Sequence, residues 1–337
     1  MSAPTPTKPR RVWMPAALGL RRGGPMASLA GVVLLAVVFS PTAADGSRIF
    51  LEAGNLTDIL RQVSIIGIVA LGMTFVVLTA GIDLSVGSTL ALSTSVVAMV
   101  LVKGPQTMPY GPRIAAAIGL ALAASLAAGA LNGALVAWFD IQPFIVTLAS
   151  MIAIRGLAKW FTSNANIDIG FGRDVSATFA EAFRQKSAVI GSYAALAVAF
   201  WFLLSHTVFG RHARAIGDNG KAARYTGLPI RSVKIWVYSL CGLLSGIAGV
   251  LYAAENHQGN PNAGVGYELD AIAAVVIGGT SLAGGEGSIP GTIAGTLIIG
   301  VLTNMLRLNN VDSNVEMMAK AAIIVLAVAA RTRKAAL

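Results

Sequence analysis

The sequence predicts an all-α, polytopic membrane protein of about ten transmembrane helices with Gly-rich breaks and both termini in the cytoplasm. Three observations predict it. First, 55% of the 337 residues are hydrophobic and only 12% are charged, where a soluble domain carries about 25% charged residues. Second, roughly ten apolar stretches are long enough to approach the thickness of a bilayer. Third, 14 of the 25 Lys and Arg residues fall in three short polar segments that hold one acid between them, Asp218. These segments are 1–26 (Lys8, Arg10, Arg11, Arg21, Arg22), 205–234 (Arg211, Arg214, Lys221, Arg224, Arg231, Lys234) and 331–337 (Arg331, Arg333, Lys334). Short loops rich in Lys and Arg resist translocation and stay inside.

The first apolar run, 27–44, ends in Ser-Pro-Thr-Ala-Ala and resembles a secretory signal. An uncleaved span is favoured, because it gives an even number of crossings to the next basic loop. Further spans are expected at 63–80, 87–102, 114–139, 143–160 and 188–204. Six crossings from an inside start return the chain inside, where the basic loop 205–234 begins. Four more, at 235–254, 269–283, 289–308 and 315–330, bring the basic tail 331–337 to the same side. The membrane-spanning unit is therefore expected at 27–330, flanked by a basic cytoplasmic segment and a basic cytoplasmic tail. The longest outer segment, 161–187, is polar and of mixed charge, with Phe171, Val175, Phe179 and Phe183 at helical spacing. This spacing predicts an amphipathic helix on the outer surface. Arg155, Lys159 and Lys320, near span ends, are expected to snorkel.

Several chemistries are excluded by what is missing. Cys241 stands alone and the three His residues are far apart, so neither a disulfide framework nor a metal site is supported. The basic excess sits in turns and termini without interleaved aromatics, which argues against nucleic acid as a partner. Gly220-Lys221 is followed by Ala222 and lacks the upstream glycine of a phosphate-cradling loop, so this chain binds no nucleotide of its own. No nucleophile elbow or zinc-binding helix occurs, and the chain is not expected to be an enzyme.

The glycines carry two messages. Gly129 with Gly133, Gly242 with Gly246 and Gly291 with Gly295 are small-xxx-small pairs that let helices approach closely in lipid. Two glycine-rich interruptions, 79–87 and 278–288, break the apolar pattern at membrane depth, which is tolerated only where protein or a water-filled cavity surrounds the break. They share an Ala-Gly-x-acid-x-Ser core, at 80–85 and 283–288. Thr79, Gly81, Asp83 and Ser85 in the first, Gly278, Gly279, Thr280, Ser281 and Glu286 in the second, and Asn132 in a span are the candidates for a polar path or gate. The carboxylates of Asp83 and Glu286 read first as helix caps or structural anchors and second as lining of that path. In the basic loop, Asp218 or Asn219 can N-cap a short helix through Tyr225, Gly227 suits the position after its end, and Pro229 stops it. Lys221 and Arg224 share a face of that helix.

The segments 78–88 (LTAGIDLSVGS) and 260–282 (NPNAGVGYELDAIAAVVIGGTSL) resemble the permease subunits of ribose-type sugar ABC importers. The similarity continues through 143–148 (PFIVTL), 209–211, 215–219, 222–223 and 284–288, and spans about residues 60–330. The resemblance implies an inner-membrane subunit that pairs with a second copy, engages cytoplasmic ABC ATPases and receives sugar from a periplasmic binding protein. ATP and magnesium would be bound by the ATPase and no cofactor by this chain. It further implies that 210–227 contacts the ATPase, with Gly210, Arg211, Gly217, Asn219, Lys221, Ala222, Ala223, Arg224 and Gly227 as the coupling residues. Two departures from the family pattern are Gln142, where a second proline is frequent, and Asp218, where a small residue is usual. The rival reading is a secondary transporter or channel driven by an ion gradient, which would carry paired ionisable groups in mid-membrane.

Overall fold

A computed structural model describes residues 24–322 apart from positions 44, 106, 313 and 320. The basic segment up to residue 23, Lys320, the tail 331–337 and most of the span expected at 315–330 lie outside the described residues. Twelve helices are labelled in chain order: α1 (Gly24–Val38), α2 (Ala53–Leu78), α3 (Val86–Lys103), α4 (Tyr110–Trp138), α5 (Pro143–Phe161), α6 (Val175–Phe183), α7 (Lys186–His206), α8 (Val208–Asp218), α9 (Gly220–Tyr225), α10 (Ile230–Asn256), α11 (Tyr267–Ile277) and α12 (Ile289–Leu308). Two two-residue strands, β1 (Ile167–Asp168) and β2 (Gln258–Gly259), pair antiparallel.

Seven of these helices, α2, α3, α4, α5, α7, α10 and α12, are long and apolar enough to cross a membrane. In α2, α3, α10 and α12, between 61% and 78% of the apolar window is buried, against 22% to 28% in α4, α5 and α7. The first four therefore form the interior, and the other three present their side chains outward. α2 is the axis: almost every residue from Val63 to Leu78 is buried. The expected glycine pairs lie where helices touch. Gly129 and Gly133 of α4 meet the backbone of α10 at Tyr238 and Ile235, while Gly242 and Gly246 of α10 meet Ser125 of α4. A side chain at any of these four would collide with a main chain or with Ser125, which explains why only glycine lets the pair close.

The segment expected to span at 269–283 is built differently. α11 has 11 residues, about 16 Å at 1.5 Å per residue, half of the ~30 Å hydrocarbon core. After α10 ends at His257, in the left-handed region at φ +55°, the chain pairs β2 with β1 and then winds through turns beside α3, with Gly264 and Gly266 at positive φ. Asn260 exchanges hydrogen bonds with the Thr94 hydroxyl (3.1 and 3.2 Å), and Gly264 reaches Gly87 at the start of α3. α11 then runs antiparallel to α12, Ala274 beside Gly295 and Gly278 beside Gly291. A half-helix, entered through the turns 261–266, thus stands where a single span over 269–283 was expected.

The amphipathic segment forms a helix over only part of its predicted pattern. α6 starts at Asp174, whose carboxylate accepts the Ala177 N–H at 3.0 Å, and buries Val175 and Phe179. Phe171 lies before it, 73% exposed, with its ring 5.3 Å from that of His257. Gly170 and Gly172, both at positive φ, turn the chain there and end the helical periodicity.

Candidate functional site

The first break joins α2 to α3. Thr79 closes α2 and donates its hydroxyl to the Val76 carbonyl (2.9 Å), and Ala80 turns the chain at φ +57°. Gly81 is pressed against the Tyr238 hydroxyl, leaving no space for a Cβ. Asp83, 1% exposed, accepts both the N–H (2.9 Å) and the hydroxyl (2.6 Å) of Ser85, and faces the Cys241 thiol of α10. Asn132 of α4 donates to the Ser85 hydroxyl at 2.9 Å, and the Ser150 hydroxyl of α5 donates to Asn132. Thr147, one turn earlier on α5, donates to the Ile82 carbonyl at 3.2 Å. Four helices thus meet through a network of hydrogen-bonded polar groups, as a low-dielectric interior requires, while the Tyr238 hydroxyl beside it has no hydrogen-bond partner among the described residues.

The second break joins α11 to α12. Gly279, Gly284 and Gly285 have φ of +106°, +87° and +77°, conformations open to glycine and strained for other residues. Gly278 packs on the Gly291 backbone, Thr280 is fully buried, and the Ser281 N–H donates to the Glu286 carbonyl at 2.8 Å. Ser288 caps α12 by accepting the Gly291 N–H at 3.2 Å. The Glu286 side chain is exposed. The similar cores thus start helices α3 and α12 in the same register, with the acid turned inward in one and outward in the other.

The basic loop is two helices where one was expected. Thr207 caps α8 through the Gly210 N–H (3.3 Å), and Asn219, rather than Asp218, caps α9 through the Ala222 N–H (3.0 Å). Gly227 at φ +75° follows α9, as predicted. Gly210 is seated against the Leu204 backbone and Ala223 is buried, while Arg211, Lys221, Ala222 and Arg224 are exposed. The end of α8 is the junction of the site. A Cβ on Gly217 would collide with the Leu78 carbonyl and stand 2.5 Å from the Gly285 nitrogen. Leu78 and Gly285 are themselves joined, the Gly285 N–H donating to the Leu78 carbonyl at 2.9 Å. One residue therefore touches both breaks at the point where they bond to each other.

Between this junction and the neighbouring ends of α4, α5 and α10 opens a cleft of about 680 Å³, lined by Thr79, Gly81 and Gly217 among others. It brings the expected path residues Thr79 and Gly81 together with Gly217, Lys221 and Arg224, which were expected as coupling residues. Arg155 departs from its expected snorkelling pose: its guanidinium donates to the Pro261 and Ala263 carbonyls at 3.0 and 2.5 Å, fastening the turns before α11 to α5. Sequence reading missed α8, Thr147, Ser150 and Tyr238, and it named Arg155 without its inward turn. Thr147 and Ser150, three apart in an apolar helix, were a visible polar face. Nothing in the sequence marked Tyr238 as the neighbour of Gly81.

A family model described as the permease component of the branched-chain amino acid transport system matches residues 55–328. The ribose import permease protein RbsC of Bacillus subtilis (strain 168) is 42% identical over 94% of this chain and 94% of its own length. RbsC of Escherichia coli (strain K12) is 41% identical over 91% and 92%. The D-allose transport system permease protein AlsC of Escherichia coli (strain K12) is 35% identical over 88% and 89%. With the two breaks, the junction at Gly217 and the long apolar helices all inside the matched region, the chain belongs to the permease family of ribose-type sugar ABC importers.

Proposed function

We infer that the chain is the membrane-spanning subunit of an ATP-driven importer in the bacterial inner membrane, moving a monosaccharide or related polyol by alternating access. Ribose, allose, arabinose and fructose are named for its relatives, and their small, hydroxyl-rich chemistry sets the substrate class. A second copy of the chain completes the pore, cytoplasmic ATPase subunits bind ATP and magnesium, and a periplasmic binding protein delivers the sugar. The observation that carries this reading is the seat of Gly217 against Leu78 and Gly285.

A transporter worked from one side needs a rigid part that a motor can push and a switch that the push reaches. α8 and α9 are the part outside the apolar helices, with exposed Arg211, Lys221 and Arg224 as the surface for the ATPase and Asn219, Ala222, Ala223 and Gly227 shaping it. The switch is the bonded pair of breaks. Displacing Gly217 displaces both, and the two inputs, binding-protein docking and ATPase closure, each favour one arrangement by differential contact. Thr79, Gly81, Asp83, Ser85, Asn132, Gly278, Gly279, Thr280, Ser281 and Glu286 form or hold the gate on this reading.

The test is reconstitution. In liposomes, sugar uptake is expected only with the chain, the ATPase, ATP and the binding protein together. Accumulation by the chain alone under a proton gradient would overturn the reading in favour of a secondary transporter.

A further inference from the structure

The cleft beside the junction carries charge that a neutral sugar has no use for, and Lys221 and Arg224, which the proposed function also offers to the ATPase, are part of it. Lys221, Arg224 and Lys234 line it, and no Asp or Glu does. None of the three cations is in an ion pair among the described residues, which include every acid of the sequence. Three positive charges around one cavity repel each other unless an anion sits between them. Tyr238 forms part of the wall, 1% exposed, and its hydroxyl lies against Gly81 without a hydrogen-bond partner among the described residues. A buried phenol is normally paired. Cations at the mouth and an unused donor at the wall together describe an anion site.

The surroundings indicate where the anion comes from. Trp138 and Phe139 at the end of α4, Phe144 at the start of α5 and Trp236 at the start of α10 are all exposed, on the helix ends that frame the cleft. Exposed Trp at the ends of apolar helices marks headgroup depth. Basic pockets between helices at that depth suit anionic headgroups.

We propose that this cleft binds a phosphate-bearing anion, supplied as the headgroup of an anionic phospholipid, with Lys221, Arg224 and Lys234 neutralising the phosphate and Tyr238 donating a hydrogen bond to it. The occupant would link α9 to α10 directly behind Gly81. Membrane composition would then set how stiffly the coupling helices are held, a regulation that rests on the proposed function, whereas the binding itself does not.

The test uses the full chain in nanodiscs, without ATPase or binding protein, so that its result is independent of transport. Lipid retained by the protein is read by native mass spectrometry in equimolar phosphatidylglycerol and phosphatidylcholine. Selective retention of phosphatidylglycerol is expected. Lys234→Gln should weaken it about fivefold, and Tyr238→Phe, which keeps the ring, about threefold. Lys159→Gln, on a different face, should leave it unchanged. Equal retention of both lipids, or equal loss in the Lys159→Gln control, would overturn the proposal. In a second arm, inorganic phosphate is titrated against the detergent-solubilised chain. Displacement of phosphatidylglycerol only at large excess supports the lipid source, and displacement at equal concentration overturns that source in favour of a soluble phosphate.

Discussion

The two glycine-rich breaks open with similar residues and are held by different means. The first is locked by side chains: Asp83 on Ser85, Ser85 on Asn132, Asn132 on Ser150, with Thr147 on the Ile82 carbonyl. The second is held by backbone, with three glycines at positive φ, one hydrogen bond from Gly285 to Leu78 and an exposed Glu286. Side-chain networks spread across four helices resist displacement, because moving one partner strands the others in an apolar interior. A glycine hinge with few side-chain ties does not. The pair thus combines a fixed half with a movable half, and Gly217 bears on both.

Four substitutions break or sharpen that contrast. Gly217→Val should have the largest effect, since it forces apart Leu78 and Gly285. Overpacking of about 1–3 kcal/mol at a two-sided contact should abolish ATP-driven uptake while hydrolysis by the ATPase continues, and uptake close to wild type would remove the junction from the mechanism. Asn132→Ala should lower stability by about 2 kcal/mol, read as the midpoint of thermal unfolding in detergent. An unchanged midpoint would mean that the first break is not held by its network. Gly285→Ala should cost about 1 kcal/mol from backbone strain at φ +77°, and its Cβ would meet Asp218 at 3.0 Å. Its mark should be a changed ratio of sugar moved to ATP hydrolysed, and a loss of stability larger than that of Asn132→Ala would reverse the ranking of the two halves. Ser288→Ala removes one cap and should cost about 0.5–1 kcal/mol with transport intact.

Much of this was written legibly in the sequence, and the rest was hidden for identifiable reasons. α12 was bounded correctly and the cap at Asn219 was among the expected residues, because span hydropathy, small polar side chains and proline act locally. The glycine pairs of α4 and α10 were legible as packing surfaces, though not as each other's partners. The half-helix α11 was read as a full span over 269–283, since hydropathy records how apolar a segment is and not that its helix stops at Ile277 where the glycine-rich turn begins. The separate helix α8 was missed because a membrane-oriented reading looks for long apolar runs, and α8 is an 11-residue amphipathic helix that buries only the face of Gly210, Ala213 and Ile216. The inward turn of Arg155 was also invisible, since the carbonyls that receive it lie more than a hundred residues away.

The half-crossing by α11 also bears on biogenesis. A segment that offers only 11 helical residues gives a translocon too little apolar length to release sideways into lipid as an independent hairpin. Its backbone groups on the way in must be met by α3, which is synthesised long before it, and its glycine contacts by α12, which is synthesised just after. The stretch from the end of α10 through α11 is therefore expected to wait, incompletely inserted, until α12 emerges from the ribosome and closes over it.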